Sequence, residues 1–475
     1  MNMLIFLPEL ALMTMALVLF FASLASWDFK RLYGLTLAMS ATAVVCAVAS
    51  WGQEGTLFFG AYRVDAFSQL FKIFITMGLF VVLAMGEGLS GIEKRLQPEY
   101  FFFVTVSSTG LVFLTSAVEL ITIFISLEVS SFALYVVIPF RKAGAQHREQ
   151  MEAGIKYVLF GALSSGISLF GMSYVFGLAH TTYLSELATV VPGLLTSSPM
   201  LIVGLVMMLA GFFFKLAMFP MHFWAPDVYQ GAANETAGFV ATIPKAAAVA
   251  LLIRFISLAG GVDLGDFNWI LAAFAVFSMV LGNLSALVQE DVKRLLAYSS
   301  IAHAGYVMVA LLCVNLLGFS TAIYYIAGYM MMNLACFYVV YHVGQDGENV
   351  TLDNLAGLYK RSPLLALVLA VGAFGMAGIP PTVGFFGKFF VFTAAIQKSL
   401  YALVIITVIN AGISAFYYLK LVRAAYSPVK NPGETLTLGK PASLLGVALM
   451  AAILLVGIFP QFFMEVAEKA VGTLM

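Results

Sequence analysis

The sequence predicts an all-α integral membrane protein with about 14 transmembrane helices. Hydrophobic residues make up 62% of its 475 residues and charged residues only 10%, whereas a soluble domain carries roughly 25% charged residues. Apolar blocks that are long enough to cross a bilayer, which takes about 20 residues, recur from end to end. These blocks are apolar on all faces, whereas a membrane β-barrel has strands of about 10 residues with an alternating pattern.

The apolar blocks divide into fourteen predicted spans, followed by a short amphipathic tail that ends near Lys469. In chain order the spans are 3–23, 32–50, 66–86, 100–116, 118–138, 153–178, 199–221, 236–259, 268–287, 295–314, 319–342, 363–397, 401–425 and 441–460.

The distribution of the 24 basic residues supports this count, because short cytoplasmic loops of membrane proteins carry an excess of Lys and Arg. With the N-terminus outside, three basic residues lie outside (Arg63, Lys398 and Lys469) and seven lie within spans. Loop 222–235 has none and departs from the rule. The other fourteen lie in or beside inside loops: Lys30, Arg31, Lys94, Arg95, Arg141, Lys142, Arg148, Lys293, Arg294, Lys360, Arg361, Arg423, Lys430 and Lys440.

Composition excludes several other classes of protein. The net charge is zero, which suggests no nucleic-acid partner. The three cysteines lack metal or redox spacing. The N-terminus has no basic segment and carries Glu9, so we expect no cleaved signal peptide. The four tryptophans fall at predicted span ends, as an aromatic belt predicts: Trp27, Trp51, Trp224 and Trp269.

No long polar linker divides the chain, so residues 1–475 are predicted to form a single polytopic membrane domain. Within it, spans 4–8 and spans 9–13 are each five helices, and an odd number turns the second unit upside down relative to the first. The predicted parts are three N-terminal spans (1–99), a first five-helix repeat (100–260), a second repeat (261–427), and a last span with the amphipathic tail (428–475).

The fourth helix of each repeat contains Gly-Phe-Phe-x-Lys, at 211–215 and 384–388, with proline nearby. The 363–397 block would be about 50 Å long as one helix, too long for a bilayer core of about 30 Å. We therefore predict a break near Gly378-Ile379-Pro380-Pro381. Broken helices near the midplane of an inverted repeat are where transporters place their ion sites.

Four charged residues lie deep within predicted spans: Glu128, Lys215, Lys245 and Lys388. Each costs about 2.5–3.5 kcal/mol to insert at a helix centre, so such residues mark functional sites by default. The alternative is a structural ion pair or a side chain that reaches the interface. We favour function for all four.

Other polar residues within spans carry weaker signals. For Lys156, a functional role and snorkelling to the interface are equally favoured. For His303, a relay role and a hydrogen-bonded helix contact are equally favoured. Snorkelling to the interface is favoured for three residues near span ends: Lys72, Arg254 and Lys420. His222 and Asp227, at a broken helix end, are either part of the site or only a cap. Packing is favoured for four polar residues of span 11: Tyr324, Tyr325, Tyr329 and Asn333.

The chemistry that these residues permit is proton transfer. A lysine in apolar surroundings gives up its proton more readily than one in water, because desolvation disfavours the charged form. A nearby carboxylate has the opposite effect, so a change in their separation switches the lysine between holding and releasing a proton. A row of such sites joined by water is a proton relay.

Five segments of the chain together carry a family resemblance. The segment Pro-Met-His-Phe-Trp-Ala-Pro-Asp-Val-Tyr-Gln-Gly at 220–231 is similar to the signature of subunit N among the antiporter-like membrane subunits of bacterial NADH:quinone oxidoreductase (respiratory complex I). Four further segments match, and the resemblance covers nearly the whole chain: 62–67, 154–157, 292–306 and 377–389.

The resemblance implies a fold with two inverted repeats and discontinuous helices 7 and 12. It also implies that Glu128 and Lys215 form a modulating ion pair, that Lys245 links two half-channels, and that Lys388 is the terminal proton donor or acceptor. No cofactor is expected in this chain. NADH, flavin, iron–sulfur clusters and quinone are expected in other subunits.

The expected partners are other membrane subunits of complex I, lipid, protons and water. The expected location is a bacterial cytoplasmic (inner) membrane, with both termini on the periplasmic side.

One segment departs from the family. After 230–232 the family usually continues with proline and serine, whereas this chain has Ala233-Asn234-Glu235-Thr236. We expect Glu235 to be a solvated cap of span 8, and the alternative is a residue that collects protons at an inner entrance.

Two rival functions remain. One is a subunit of a cation/proton antiporter. The other is a passive scaffold whose buried charges are static pairs, which three central lysines against one central acid argue against.

Overall fold

The computed structural model describes residues 3–25, 27–142, 147–195, 198–257, 265–344, 347–429 and 434–474. The chain is almost entirely helical, and one predicted inside residue, Lys430, lies outside the described residues.

The described chain contains twenty α-helices, four short 3₁₀ helices and one short hairpin. The helices are α1 (Leu7–Leu24), α2 (Phe29–Ala49), α3 (Ala66–Met85), α4 (Gln97–Ser116), α5 (Leu120–Val137), α6 (His147–Ala179), α7 (Leu184–Leu195), α8 (Pro199–Leu216), α9 (Ala225–Gly231), α10 (Asn234–Ser257), α11 (Asp266–Leu287), α12 (Val292–Leu311), α13 (Leu316–Val343), α14 (Leu352–Leu355), α15 (Leu358–Arg361), α16 (Pro363–Ala377), α17 (Val383–Gln397), α18 (Tyr401–Tyr426), α19 (Lys440–Ile458) and α20 (Pro460–Gly472). Strands β1 (Gly55–Leu57) and β2 (Tyr62–Val64) pair antiparallel.

The prediction of fourteen membrane crossings is confirmed. Twelve of the described helical segments are long and apolar enough to span a bilayer unaided. The other two crossings are α12 and the interrupted pair α16 and α17. The predicted break in the 363–397 block falls at 378–382. The tail after the last span forms α20, as predicted.

The helices run back and forth between two ends of the molecule. We call the end at which α1 begins the N-terminal face, and it includes the β1–β2 hairpin, α7 and α20. The other end is the opposite face, and it includes α14, α15 and the segment between α9 and α10. Each predicted repeat contains three helices, an interrupted helix and a further helix: α4, α5, α6, α8 with α9 and α10, and then α11, α12, α13, α16 with α17 and α18. The division of the chain at 99, 260 and 427 stays a prediction.

Four elements were not predicted from the sequence: the hairpin, the 12-residue helix α7, and the short helices α14 and α15. All of them lie in connections between spans, where the hydropathy pattern carries little information about local structure.

Helices α10 and α13 form the centre of the molecule, because all of the most apolar window of α10 and 94% of that of α13 are buried. The two helices pack closely at Gly238, where a Cβ would lie 3.3 Å from Phe337. Tyr329 of α13 donates a hydrogen bond of 3.1 Å to the carbonyl of Ala241. Polar residues of α10 therefore face other helices of this chain rather than lipid.

The expectation that Lys72 and Arg254 snorkel to the interface is wrong. Lys72 of α3 is fully buried, and its Nζ lies 2.6 Å from Oε1 of Glu9 in α1. Arg254 of α10 lies 2.8 Å from Asp65, the N-cap residue of α3. Both cations are paired with an acid from a distant part of the chain, which removes the need to reach water.

One tryptophan also departs from its expected place. Trp224 is buried, and its indole N–H donates a hydrogen bond of 3.1 Å to the carbonyl of Phe214. It bridges the interruption between α8 and α9 and does not belong to an interfacial belt. The reason is that the connection between α8 and α9 folds back into the helix bundle, so a residue at a helix end is not at the membrane surface.

Candidate functional site

Two helix interruptions define the centre of the candidate site. Helix α8 ends at Leu216, and Ala217 after it adopts a left-handed conformation with φ of 57°. Helix α16 ends at Ala377, and Gly378 has φ of 88°. A left-handed residue stops a helix and leaves its last carbonyl oxygens without partners from the next turn. Both interruptions therefore expose polar backbone inside an apolar bundle.

A buried lysine from elsewhere in the chain binds each exposed helix end. Lys245 of α10 donates a hydrogen bond of 2.7 Å to the carbonyl oxygen of Leu216. Lys388 of α17 donates bonds of 3.0 and 2.9 Å to the carbonyl oxygens of Met376 and Ala377. The carboxyl end of a helix carries partial negative charge, so it stabilises a cation placed there. The sequence predicted both lysines as site residues but not these backbone partners.

Each of the three central lysines also contacts one serine hydroxyl on a neighbouring helix, and we call these three residues the relay serines. The Nζ–Oγ distances are 3.1 Å for Lys215 and Ser130, 3.1 Å for Lys245 and Ser300, and 3.3 Å for Lys388 and Ser414. None of these lysines forms an ion pair within 4.0 Å with a described carboxylate. Sequence reasoning missed the relay serines, because serine is common in helix contacts and its hydroxyl gives no hydropathy signal.

Glu128 lies beside the first of these contacts without touching its lysine. The carboxylate is half-buried and accepts a hydrogen bond from Ser165 of α6. It acts on Lys215 electrostatically. Ser130, two residues further along α5, provides the direct contact to Lys215. The ion pair implied by the family resemblance is therefore not a direct contact in this structure.

His303 lies between the second and third lysines. Its Nδ1 lies 2.7 Å from the hydroxyl of Tyr325, and its Nε2 lies 2.9 Å from the hydroxyl of Tyr418. Tyr306, one turn further along α12, places its ring 5.5 Å from Nζ of Lys388. Ser300, His303 and Tyr306 share one face of α12 at intervals of three residues. This spacing could have been recognised in the sequence, and it places polar groups between Lys245 and Lys388.

Lys156 lies apart from this row, near the opposite face. Its Nζ forms ion pairs with Glu152, at 2.5 Å, and with Asp227 of α9. Asp227 also pairs with Arg294 of α12 at 2.5 Å. This cluster connects α9 to α6 and to α12. The sequence left open whether Asp227 is only a cap, and the structure makes it the ion-pair partner of two basic residues.

The expectation that Glu235 is a solvated cap is wrong. The residue lies in the first turn of α10 but is 0% exposed. Neither carboxylate oxygen has a side-chain hydrogen-bond partner among the described residues. The start of α10 is covered by the segments around Gly91 and Gly347, whose backbones meet beside it. A residue at a helix start is usually exposed, and here these connecting segments exclude solvent.

The arrangement is suited to moving protons and not to binding a fixed charge. Hydroxyl groups both donate and accept hydrogen bonds, so they can pass a proton on. Each central lysine has neutral oxygen partners that hold the ammonium form without a fixed countercharge. A neutral amine at the same position can still accept a hydrogen bond from the serine hydroxyl. Both protonation states of each lysine are thus accommodated.

Comparison with known proteins gives consistent similarities. Residues 117–414 match the family described as NADH:quinone oxidoreductase/Mrp antiporter, TM. The chain is 47% identical over 472 residues to NADH-quinone oxidoreductase subunit N 2 of Opitutus terrae, covering 99% of this chain and 98% of that protein. It is 45% identical over 469 residues to the protein of the same name from Solidesulfovibrio magneticus, covering 98% of each.

A chain of respiratory complex I from Thermus thermophilus has a similar structure. Its TM-score is 0.80 at 30% identity, over 96% of this chain and 98% of that one.

Proposed function

This chain belongs to the NADH:quinone oxidoreductase/Mrp antiporter family of membrane proteins, and we propose that it moves protons across the membrane through Glu128, Lys215, Lys245 and Lys388. It is a proton-translocating membrane subunit of NADH:quinone oxidoreductase, of the subunit N type. The enzyme to which it contributes is a translocating oxidoreductase.

The observation that carries the proposed route is the set of three buried lysines bound to neutral oxygens. A static scaffold would match each buried cation with an acid, as the Glu9–Lys72 and Asp65–Arg254 pairs do at 2.6 and 2.8 Å. The central lysines have serine hydroxyls and helix-end carbonyls instead. An unmatched buried cation is expensive, and a lysine that gives up and regains its proton carries that cost only for part of the time.

Proton movement along the row proceeds by protonation and release. A proton that reaches the neutral amine of Lys245 forms an ammonium ion, which the Leu216 carbonyl and the Ser300 hydroxyl hold. Release passes the proton through the polar face of α12, past His303, to Lys388. A carboxylate near a buried lysine, as Glu128 is to Lys215, favours the protonated form of that lysine. Movement of that carboxylate therefore changes whether Lys215 holds or releases.

The membrane is proposed to be a bacterial cytoplasmic (inner) membrane, with both termini on the outer, periplasmic side. Clusters of basic residues in connections at the opposite face support this orientation. Examples are Lys30 with Arg31, Lys94 with Arg95, and Lys360 with Arg361. The opposite face is then the inner face, and protons enter from it.

The redox chemistry is proposed to take place in other subunits. NADH, flavin, iron–sulfur clusters and quinone act there, and this chain responds to quinone reduction through contacts with neighbouring membrane subunits. The half-buried position of Glu128 on the surface of this chain supports such a contact, because a neighbour that packs against α5 and α6 would touch it.

The test is proton pumping in the assembled complex. Native membrane vesicles that carry Lys215→Ala or Glu128→Ala are supplied with NADH, and proton uptake is measured against NADH oxidation. We expect both variants to pump less than wild type. Lys420→Ala is the matched control, because Lys420 is half-exposed near a helix end. Wild-type pumping by both variants, at an unchanged level of assembly, would refute the relay.

The alternative is a subunit of a cation/proton antiporter, which the family description also includes. Purification through a tag on this chain separates the two. Recovery of flavin and iron–sulfur proteins with NADH:quinone activity supports the oxidoreductase. Recovery of small hydrophobic proteins alone, with sodium-dependent transport, supports the antiporter.

A further inference from the structure

The proposed relay leaves unused a buried acid in the first turn of α10. Glu235 is fully buried at the start of the helix that carries Lys245. No side chain among the described residues donates a hydrogen bond to either of its carboxylate oxygens, and the nearest donors are the backbone N–H groups of Glu235 itself and of Gly91. Buried acids are almost always paired, so one without a side-chain partner needs a physical explanation.

Two cations act on this carboxylate, and both donate hydrogen bonds to backbone carbonyl oxygens. Lys293 of α12 donates a bond of 2.8 Å to the carbonyl of Ala232. Arg141, after α5, donates bonds of 3.0 Å to the carbonyl of Gln230 and 2.7 Å to that of Gly347. Each of them affects Glu235 through its charge, and neither forms an ion pair with it.

Among the described residues, two tyrosines also interact electrostatically with Glu235: Tyr100 of α4 and Tyr341 of α13. The hydroxyl of Tyr100 and that of Thr236, the next residue along α10, are also buried. Two buried hydroxyls thus lie near one buried carboxyl group. A proton on the carboxyl group, or a bridging water molecule, satisfies such a cluster.

The backbones of Gly91 and Gly347 pass beside Glu235 at the opposite face. A Cβ on Gly91 would lie 3.3 Å from Oε2 of Glu235 and 3.3 Å from Cα of Gly347. Neither glycine has a side chain, so the backbone itself approaches the carboxylate here. Separation of these two connecting segments would expose the carboxylate to water.

Polar groups continue from Glu235 towards the centre. Lys245 lies ten residues further along α10, a rise of about 15 Å. Part of this gap is bridged where Asn333 donates a hydrogen bond of 2.7 Å to Tyr329 and Tyr329 donates one to Ala241. Oδ1 of Asn333 is buried without a partner. Nearer the centre, Ser300 lies 3.1 Å from Nζ of Lys245.

We propose that Glu235 is the proton acceptor at the inner face of this chain and passes protons along α10 to Lys245. This inference rests on the proposed proton-moving function. The carboxylate takes a proton from hydronium, leaving water and a neutral carboxylic acid. The acid then gives the proton through water to the neutral amine of Lys245, which becomes an ammonium ion, and the carboxylate is restored. No electron is transferred in either step.

The experiment compares Glu235→Gln with Glu235→Asp in native vesicles that contain the assembled complex. Glutamine keeps the shape but cannot take up the proton, so we expect loss of the same part of proton pumping that Lys215→Ala removes. Aspartate keeps a carboxyl group and is expected to restore pumping at least in part. Glu186→Gln is the control, because Glu186 is an exposed acid at the N-terminal face.

The outcomes separate this inference from the proposed function. Wild-type pumping in Glu235→Gln alongside a loss in Lys215→Ala overturns the role of Glu235 and leaves the relay intact. Wild-type pumping in both overturns the relay itself. Loss of pumping in Glu235→Gln that Glu235→Asp does not relieve overturns proton transfer by the carboxyl group and indicates a structural role.

A second measurement needs no variant. Hydrophobic carbodiimides react with protonated carboxyl groups in apolar surroundings, and mass spectrometry of the wild-type chain locates the product. We expect modification of Glu235 that increases as the pH is lowered. Absence of modification at every pH would overturn the proposal even if the Glu235→Gln chain does not assemble.

Discussion

The ammonium group of Lys245 lies 2.7 Å from the carbonyl oxygen of Leu216, the last residue of α8. The two residues are 29 positions apart in the chain. The contact places the charge of Lys245 against the negative end of an interrupted helix. Loss of the proton from Lys245 removes its attraction to that helix end. The position of the break and the protonation state of Lys245 are therefore linked.

Replacement of Lys245 by methionine is expected to abolish proton movement through this chain. A residue that transfers protons contributes roughly 10²–10⁴-fold in rate, and methionine keeps the length of the side chain without the amine. NADH-driven proton uptake by vesicles, divided by NADH oxidation, measures the effect. Lys420→Met is the control for loss of a half-exposed lysine, and an equal loss of pumping in both variants would contradict a specific role.

Replacement of Ser300 by alanine is expected to slow proton movement less than replacement of Lys245. A hydrogen bond to a charged group contributes about 1.5–3 kcal/mol, which corresponds to about tenfold or more in rate. Ser40→Ala is the matched control, because Ser40 is buried and its hydroxyl bonds within its own helix, to Leu37 at 2.9 Å. Equal pumping by the two serine variants would remove Ser300 from the relay.

Replacement of Gly384 by alanine is expected to destabilise the interrupted helix. A Cβ there would lie 1.9 Å from the carbonyl oxygen of Gly375, so the backbone would have to move to relieve the clash. Overpacking of this kind costs about 1–3 kcal/mol. Thermal denaturation of the detergent-solubilised complex measures the loss. Gly412→Ala has no atom within 4 Å of the added carbon and should leave the denaturation temperature unchanged.

The Asp65–Arg254 pair is expected to make stability depend on pH in the acid range. Burial alone would raise the pKa of Asp65, but Arg254 and the hydrogen bonds from Ser68 outweigh it and hold the pKa below its ordinary value of 3.8. Because the pKa of Asp65 is lower in the folded chain than in the unfolded chain, the contribution of the pair to stability is complete above the unfolded pKa. This contribution is lost as the pH falls through the folded pKa.

Thermal denaturation of wild type and Asp65→Asn at pH values above and below 4 tests the contribution of the Asp65–Arg254 pair to stability. The difference between the two chains should be largest above pH 4 and should shrink below it. A difference that stays constant with pH would contradict the pair's contribution.

The sequence by itself determined the membrane class, the number of crossings and the position of the break at Gly378. These depend on the free energy of placing each residue in lipid and on the length that a bilayer can accommodate, both of which are properties of a local stretch of chain. The same reasoning identified Lys215, Lys245 and Lys388, because a lysine within an apolar stretch is costly wherever its partners lie. Their proton-relay roles stay predictions.

Only the tertiary structure decided which polar groups meet. Lys72 and Lys245 both lie within predicted apolar spans, yet Lys72 is matched by Glu9 and Lys245 by a helix end and Ser300. Glu235 and Trp224 lie at helix ends, yet connecting segments bury both. The partner of a buried polar group is set by the packing of segments far apart in the chain, and hydropathy along one stretch carries no information about that packing.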